Sequence, residues 1–191
     1  MGVPDPAIGA DELGRDDEDE RKPLHGSMHS NPNYNQAQSD TGDIAVIVLD
    51  KPVANLTPVQ LPSAGLLDQM KANGTLNRAL FTSVGYGILE PEPGPGGITH
   101  DFPMERWYAV GEFNALNNTW LRISQVQATG DGGTCSGDSG GPQFLGAGSS
   151  ETKTQVSITI TGDLECFATN VTYRLDTPQA RAFLGQFVTL P

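Results

Sequence analysis

The apolar stretches of this chain are short and interrupted, and this most constrains the fold. Residues 44–49, Ile-Ala-Val-Ile-Val-Leu, lie between Thr-Gly-Asp and Asp-Lys-Pro. Six residues are too few for a buried helix, and the β-branched content favours a central strand. The chain contains 23 glycines and 14 prolines, so we expect similar breaks elsewhere, and the pattern predicts an all-β fold. Further strands are predicted at residues 79–86, 106–113, 120–127, 143–145, 154–161 and 170–175.

Two segments have helical rather than β character. Residues 66–73 are predicted to form one or two helical turns that end at Gly74. Thr177 and Pro178 form a typical helix start, and apolar residues follow at helical spacing as far as Val188. Residues 1–40 are polar, acidic and interrupted by prolines, which predicts an irregular segment. Residues 90–97 predict an exposed Gly/Pro loop.

The charge of the chain excludes two classes of partner. The formal net charge is −12, and residues 1–22 supply five of these charges, with eight acidic residues against three basic ones. An acidic surface repels the phosphates of nucleic acids and of anionic membranes. No apolar stretch is long enough for a transmembrane helix, and no signal peptide is visible. The acidic run at 16–20 predicts a solvated loop without calcium-ligand spacing, so we expect no metal site.

The two cysteines, Cys135 and Cys166, leave two interpretations open. They could be free thiols in a reducing compartment. They could also form a disulfide, which would contribute about 3–4 kcal/mol and imply an oxidising compartment. Their number alone does not decide between the two.

The strongest chemical signal is the segment 133–142, Gly-Thr-Cys-Ser-Gly-Asp-Ser-Gly-Gly-Pro. A serine nucleophile needs an exposed hydroxyl on a tight turn and nearby backbone N–H groups for a developing oxyanion. Glycines allow the backbone to turn sharply and to approach a substrate closely. The segment therefore predicts that Ser139 is a nucleophile rather than part of an ordinary glycine-rich turn.

The order Gly-Asp-Ser-Gly-Gly-Pro, preceded by Gly-Thr-Cys-Ser, resembles the nucleophile signature of the trypsin-like (chymotrypsin-fold) serine proteases. The resemblance implies that Ser139 attacks a peptide carbonyl and that the N–H groups of Gly137 and Ser139 form the oxyanion hole. It also implies a disulfide between Cys135 and Cys166 beside the specificity pocket. The implied pocket residues are Gly133, Thr134 and Gly162.

A second part of the resemblance lies upstream. Asp43 opens the apolar run 44–49, as the family's aspartate does, and is implied to orient a histidine. The segment Ser-Val-Gly-Tyr-Gly at 83–87 is similar to the strand that opens the family's second barrel. The implied fold is a trypsin-like double antiparallel β-barrel with an incomplete first barrel and a C-terminal α-helix. The expected division is an acidic segment at 1–40, a first-barrel remnant at 41–78 and the second barrel with the helix at 79–191.

The chain departs from the family in lacking an Ala-His-Cys segment before the aspartate. His25, His29 and His100 are expected to be surface residues rather than replacements. The family's mature N-terminus is also absent, which leaves the Asp138 carboxylate without its usual amine partner. We expect a truncated chain whose upstream part carried the histidine, the first strands and a signal peptide. The alternative is a degenerate homologue that has lost catalysis.

The expected function is that of a secreted, extracellular serine endopeptidase that forms an acyl-enzyme on Ser139. This chain alone is expected to be inactive, because no group is placed to accept the Ser139 proton. The alternatives are a non-catalytic homologue that binds proteins and an exported protein with free cysteines. No cofactor is implied, and the expected partner is a protein or peptide substrate.

Two further expectations concern specificity and association. Gly133 stands where trypsin carries the acid that selects basic side chains, so a small or apolar side chain is expected before the scissile bond. The strand at 44–49 would lack neighbours in an incomplete barrel and expose an apolar face. The chain is therefore predicted to oligomerise through this first-barrel strand or to be poorly soluble.

Overall fold

The computed structural model describes residues 3–4, 23–89, 92–99, 101–103 and 105–191. Within these ranges the chain forms eleven β-strands, two short α-helices and two 3₁₀ turns at Gln127–Thr129 and Gly148–Ser150. In chain order the strands and helices are β1 (Val3–Pro4), β2 (Gly26–Ser30), β3 (Ala45–Leu49), α1 (Leu66–Ala72), β4 (Leu80–Gly85), β5 (Glu92–Gly94), β6 (Gly97–Thr99), β7 (Trp107–Leu116), β8 (Trp120–Ser124), β9 (Pro142–Leu145), β10 (Gln155–Gly162), β11 (Thr169–Arg174) and α2 (Pro178–Leu184).

Six of the strands form a closed antiparallel barrel in the order β7, β4, β9, β10, β11 and β8. Pairing of β7 with β8, which sets Phe113 opposite Ile123 and Leu116 opposite Leu121, closes the barrel. β1 adds to β7, with Val3 opposite Tyr108. The barrel confirms the all-β expectation. Each of these six strands pairs with a neighbour on both sides over part of its length.

The barrel interior has an apolar half and a polar half. Phe81, Leu121, Ile123 and Val156 are fully buried in one half, where they supply most of the packing. The other half contains a buried chain of hydrogen bonds in which Ser83 donates to Gln143, and Gln143 donates to Thr159 over 2.7 Å. Such a chain satisfies the buried polar groups. It lies at the end of the barrel that carries the nucleophile segment.

The strand predicted at 44–49 is present as β3, but its expected central place in a sheet is wrong for the residues that the structure describes. β3 pairs only with β2, in a separate two-stranded sheet where Met28 lies opposite Ile47. Ile44 and Val46 pack against the barrel and α2, whereas Met28 and Ile47 are 72% and 65% exposed. The apolar run therefore buries one face and not two. The described residues form one closed barrel, and oligomerisation through the uncovered face stays a prediction that sedimentation velocity can check.

α2 fastens the β2–β3 sheet to the barrel. Its N-cap Thr177 accepts a hydrogen bond from the Ala180 N–H, as the Thr-Pro start predicts. The helix ends at Leu184 before Gly185, four residues short of the predicted end. Beyond it Phe187 contacts Phe183, with ring centroids 5.3 Å apart. The resulting apolar cluster contains Ile44, Tyr173, Leu175, Ala180, Phe183 and Leu184.

A buried ion cluster fastens α1 to the same barrel. Arg174 and Asp176 are almost completely buried, and Asp176 accepts hydrogen bonds from Arg174 Nε at 2.9 Å and from the Leu67 N–H at 2.8 Å. Arg174 also donates to Asp68 on α1 and to the Asn117 carbonyl. Because every guanidinium N–H has an acceptor, the buried charge is compensated.

Smaller differences concern the ends of elements. The predicted strand 120–127 ends at Ser124, and the predicted loop 90–97 contains the start of the β5–β6 hairpin. The segment predicted to be irregular contains β2, and most of residues 1–22 lie outside the described ranges, as does His100. In the described part of the chain, no helix is long and apolar enough to cross a membrane.

Candidate functional site

Ser139 lies on an exposed elbow between the disulfide segment and β9. Two successive turns form the elbow: the Asp138 N–H donates to the Cys135 carbonyl at 3.1 Å, and the Gly141 N–H donates to the Asp138 carbonyl at 2.9 Å. Gly137 has a φ of 100°, a left-handed conformation that residues with a Cβ rarely adopt. This geometry supplies the tight turn that a nucleophilic hydroxyl requires.

Strand β10 fixes the far side of the elbow. The Gly140 N–H donates to the Thr159 carbonyl at 2.8 Å, and the Thr159 N–H donates to the Gly141 carbonyl at 3.0 Å. The Thr159 side chain accepts a hydrogen bond from Gln143, so the polar half of the barrel core supports the elbow from within. The position of Ser139 is therefore set by the barrel and not by the loop alone.

Two backbone donors of the elbow are available to a ligand. Among the described residues, neither the Gly137 N–H nor the Ser139 N–H has a hydrogen-bond acceptor. Both residues are exposed. Unpaired N–H groups next to a nucleophile are the donors that an oxyanion needs.

The Asp138 carboxylate has partners without a terminal amine. Its two oxygens accept hydrogen bonds from the Gly87 N–H at 2.8 Å and from the Cys135 N–H at 2.9 Å. A Cβ on Gly85 would overlap Asp138 Oδ1, so the close approach of the two segments depends on that glycine. Backbone N–H groups of the described residues therefore satisfy both oxygens of this carboxylate.

Asp43 is held at the start of the β2–β3 sheet by contacts on both sides. Asn31 Nδ2 donates to the Gly42 carbonyl at 3.0 Å, and the Asn31 N–H donates to the Ile44 carbonyl at 3.0 Å. Nearby, the Tyr173 hydroxyl donates to Asp40 at 3.0 Å. Burial and the charges of Asp40 and Asp43 raise the pKa of Tyr173 well above its ordinary value, so this hydroxyl remains a donor.

Asp43 and Ser139 line the same open cleft, with a volume of about 640 Å³. The cleft lies between the β2–β3 sheet and β10, and its other walls include Ile158, Thr159 and Ile160. Within the described residues, no histidine lines this cleft, and neither the Ser139 hydroxyl nor the Asp43 carboxylate has a hydrogen-bond partner. The described lining of the cleft therefore contains the Ser139 hydroxyl and the Asp43 carboxylate but no imidazole between them.

Neither described histidine occupies that gap. The His29 ring packs on Phe187 at a centroid distance of 5.0 Å. His25 is exposed directly before β2. Neither of them lines the Ser139 cleft.

A second cleft of about 230 Å³ opens on the other side of Ser139. Thr134 and Gly162, two of the three predicted pocket residues, lie in opposite walls. Gly133 lies behind this cleft, in the lining of a small cavity of about 50 Å³. The predicted disulfide between Cys135 and Cys166 is confirmed, with an S–S distance of 2.03 Å, and both cysteines line the cleft.

Asp163 organises one wall of this cleft, and the sequence interpretation missed it. Its carboxylate accepts hydrogen bonds from the N–H groups of Phe167, Ala168 and Thr169 at 2.7, 3.0 and 2.7 Å. Burial alone would raise the pKa of Asp163, but these donors outweigh it and hold the pKa below its ordinary value of 3.8. No local sequence signal distinguishes this aspartate, because its backbone donors lie four to six residues further along the chain.

β10 also presents a free edge to the two clefts. β9 pairs with β10 only as far as Ile158, whereas β11 continues to Gly162. In the described part of the chain, residues 160–162 therefore have a neighbouring strand on one side only. An extended peptide can add to such an edge by main-chain hydrogen bonds.

Neither a metal centre nor a known relative adds to this picture. No group of three or more His, Cys, Asp or Glu side chains within the described ranges could hold a metal ion. No protein-family model matches the chain, and no curated protein sequence matches it. A function for this chain must therefore be argued from the motif and from the geometry of the two clefts.

Proposed function

We propose that this chain carries the nucleophile, oxyanion hole and substrate pocket of an extracellular serine endopeptidase of the trypsin-like type. The observation that carries the proposal is that Ser139 and Asp43, far apart in sequence, line one cleft beside two unpaired N–H groups. The disulfide supports an oxidising compartment. The proposed substrate is a protein or peptide.

The reaction is acyl transfer to Ser139. The substrate backbone lies along the free edge of residues 160–162, and its side chain enters the cleft between Thr134 and Gly162. Oγ of Ser139 attacks the peptide carbonyl, and the N–H groups of Gly137 and Ser139 stabilise the oxyanion. The base that took the hydroxyl proton returns it to the nitrogen, the amine product leaves, and water then hydrolyses the ester.

None of the described residues is placed to accept the proton of the Ser139 hydroxyl. A base must accept it as the Oγ–C bond forms, and Asp43 is the group that would orient an imidazole and stabilise its protonated form. The open cleft beside Asp43 has room for such a ring. We therefore expect the hydroxyl to be nearly unreactive until an imidazole is supplied.

Labelling by a fluorophosphonate, with and without added imidazole, tests the proposal. Oγ of Ser139 attacks phosphorus, fluoride leaves and imidazole takes the proton. A positioned base accelerates such steps by about 10²–10⁴-fold, and a diffusing one by less. We expect almost no labelling without imidazole and labelling of Ser139 that rises with imidazole concentration.

Three variants give the experiment its controls. Ser139→Ala should abolish the label, and Asp43→Asn should remove most of the imidazole effect. Ser136→Ala is the matched control, because Ser136 is an exposed serine in the same cleft wall and should not matter. Labelling that persists in Ser139→Ala, or that ignores imidazole, contradicts the proposed function.

The second candidate is a peptide-binding protein of the same fold that performs no catalysis. It is favoured by the finding that no described histidine lines the cleft between Asp43 and Ser139. The two candidates separate in the same experiment. Peptide binding without any imidazole-dependent label at Ser139 supports the binding protein.

A further inference from the structure

The space behind Gly133 is already filled. A Cβ on this residue would overlap Gln125 Oε1 and lie 2.6 Å from Gln125 Cβ. Gln125 is only 2% exposed, so it has little room to move aside. A carboxylate at position 133 therefore cannot be accommodated beside Gln125.

Gln125 also connects the two walls of the substrate cleft. Its Oε1 accepts a hydrogen bond from the Thr134 N–H at 3.2 Å, and its Nε2 donates to Asp163 Oδ1 over a longer distance of 3.4 Å. Its own N–H donates to the Ala168 carbonyl at 3.0 Å. This buried side chain thus joins the same two walls that the disulfide between Cys135 and Cys166 links.

The one carboxylate in the described lining of the cleft already accepts four hydrogen bonds. Asp163 is the one charged residue in its described lining. Three backbone N–H groups and Gln125 Nε2 donate hydrogen bonds to that carboxylate, three of them to Oδ1 and one to Oδ2. A lysine in the cleft would lose hydration and would have to share the Asp163 carboxylate with four existing donors, and a glutamate would be repelled by Asp163.

We propose that Gln125 is the positioning residue that fits the cleft beside Ser139 to an uncharged substrate side chain. It does so by occupying the space of an acid at position 133 and by engaging Asp163. The proposal rests on the proposed function, because it assumes that a peptide side chain enters this cleft. It goes further in naming the class of side chain and the residue that selects it.

The test uses four acetylated tetrapeptide amides that differ only in the last residue, which is Leu, Gln, Lys or Glu. Binding to the full chain is followed by NMR through the amide signals of Thr134 and Gly162, which lie in the cleft walls. We expect the Leu and Gln peptides to bind about fivefold or more tightly than the Lys peptide. The Glu peptide should bind most weakly.

Variants of Gln125 separate selectivity from simple loss of structure. Gln125→Met keeps the volume but frees one acceptor position on Asp163, so the preference for Leu over Lys should fall to about twofold or less. Gln125→Gly with Gly133→Asp makes room for an acid and should reverse the preference in favour of Lys. Gln127→Ala, at an exposed glutamine two residues further along the chain, is the matched control and should change nothing.

The outcomes distinguish this inference from the proposed function. Lys binding as tightly as Leu in the unaltered protein overturns the inference and leaves the peptidase proposal standing. A parallel weakening of all four peptides in Gln125→Met overturns it as well, because Gln125 would then be merely structural. If no peptide shifts these signals at about 10 mM, the cleft is no peptide site, and the proposed function fails together with the inference.

Discussion

Replacing Cys135 and Cys166 together by alanine should lower the free energy of unfolding by about 3.7 kcal/mol. The disulfide joins residues 31 positions apart. Closing a loop of that length lowers the conformational entropy of the unfolded chain, and at 25 °C the chain-entropy relation converts this loss into about 3.7 kcal/mol of stability. The native protein should keep its barrel, because the six strands pair without help from the disulfide.

Urea denaturation followed by far-ultraviolet circular dichroism measures this difference. For a chain of this size, about 3.7 kcal/mol corresponds to a melting temperature lower by about 7–15 °C. The unaltered protein under reducing conditions is the control and should match the double variant. A difference below about 1 kcal/mol would refute the reasoning, because the loop would then be equally restricted in the reduced chain.

Three other perturbations test the packing and electrostatics. Asp176→Asn should cost about 3–5 kcal/mol by removing the buried one of the two carboxylates that pair with Arg174. Asp68→Asn, at a partner whose side chain is 65% exposed, should cost less than about 1 kcal/mol. Asn170→Val should leave the stability unchanged or raise it by about 1 kcal/mol, because Asn170 is buried and neither amide atom has a partner among the described residues. The loop bonded to Asp163 should stay ordered above pH 3.8 and lose protection from hydrogen exchange as the pH falls through the lowered pKa.

Each of these expectations has a contrary result. Equal costs for Asp176→Asn and Asp68→Asn would show that burial does not govern the ion cluster. A clear loss of stability in Asn170→Val would show that its amide has a partner in solution. Exchange protection in the Asp163 loop that is the same at pH 2 and pH 6 would show that its ionised form contributes nothing there.

The sequence predicted the parts of the fold that depend on local signals. Strands of the barrel follow from short apolar runs between glycines and prolines, and α2 begins where Thr177 and Pro178 indicate. The elbow at Ser139 follows from glycines that allow a sharp turn. The disulfide followed from the resemblance, since two cysteines alone leave the pairing open.

The parts that failed depend on which faces meet in three dimensions. The apolar run at 44–49 predicts burial on both faces, but only Ile44 and Val46 pack against the apolar core. β2 has too few apolar residues for the sequence to predict a strand there, and it forms by pairing with β3. Gln125 gave no local signal, because its contact with Asp163 joins residues 38 positions apart.

A crystal structure of the chain with a peptide boronic acid and added imidazole tests the central claim most directly. A boronate bound to Ser139 mimics the tetrahedral intermediate, so its oxygen reports where an oxyanion would lie. We predict a bond from boron to Ser139 Oγ and a boronate oxygen about 2.7–3.1 Å from the N–H groups of Gly137 and Ser139. A boronate that bypasses Ser139, or whose oxygens all point away from those two donors, would contradict the claim.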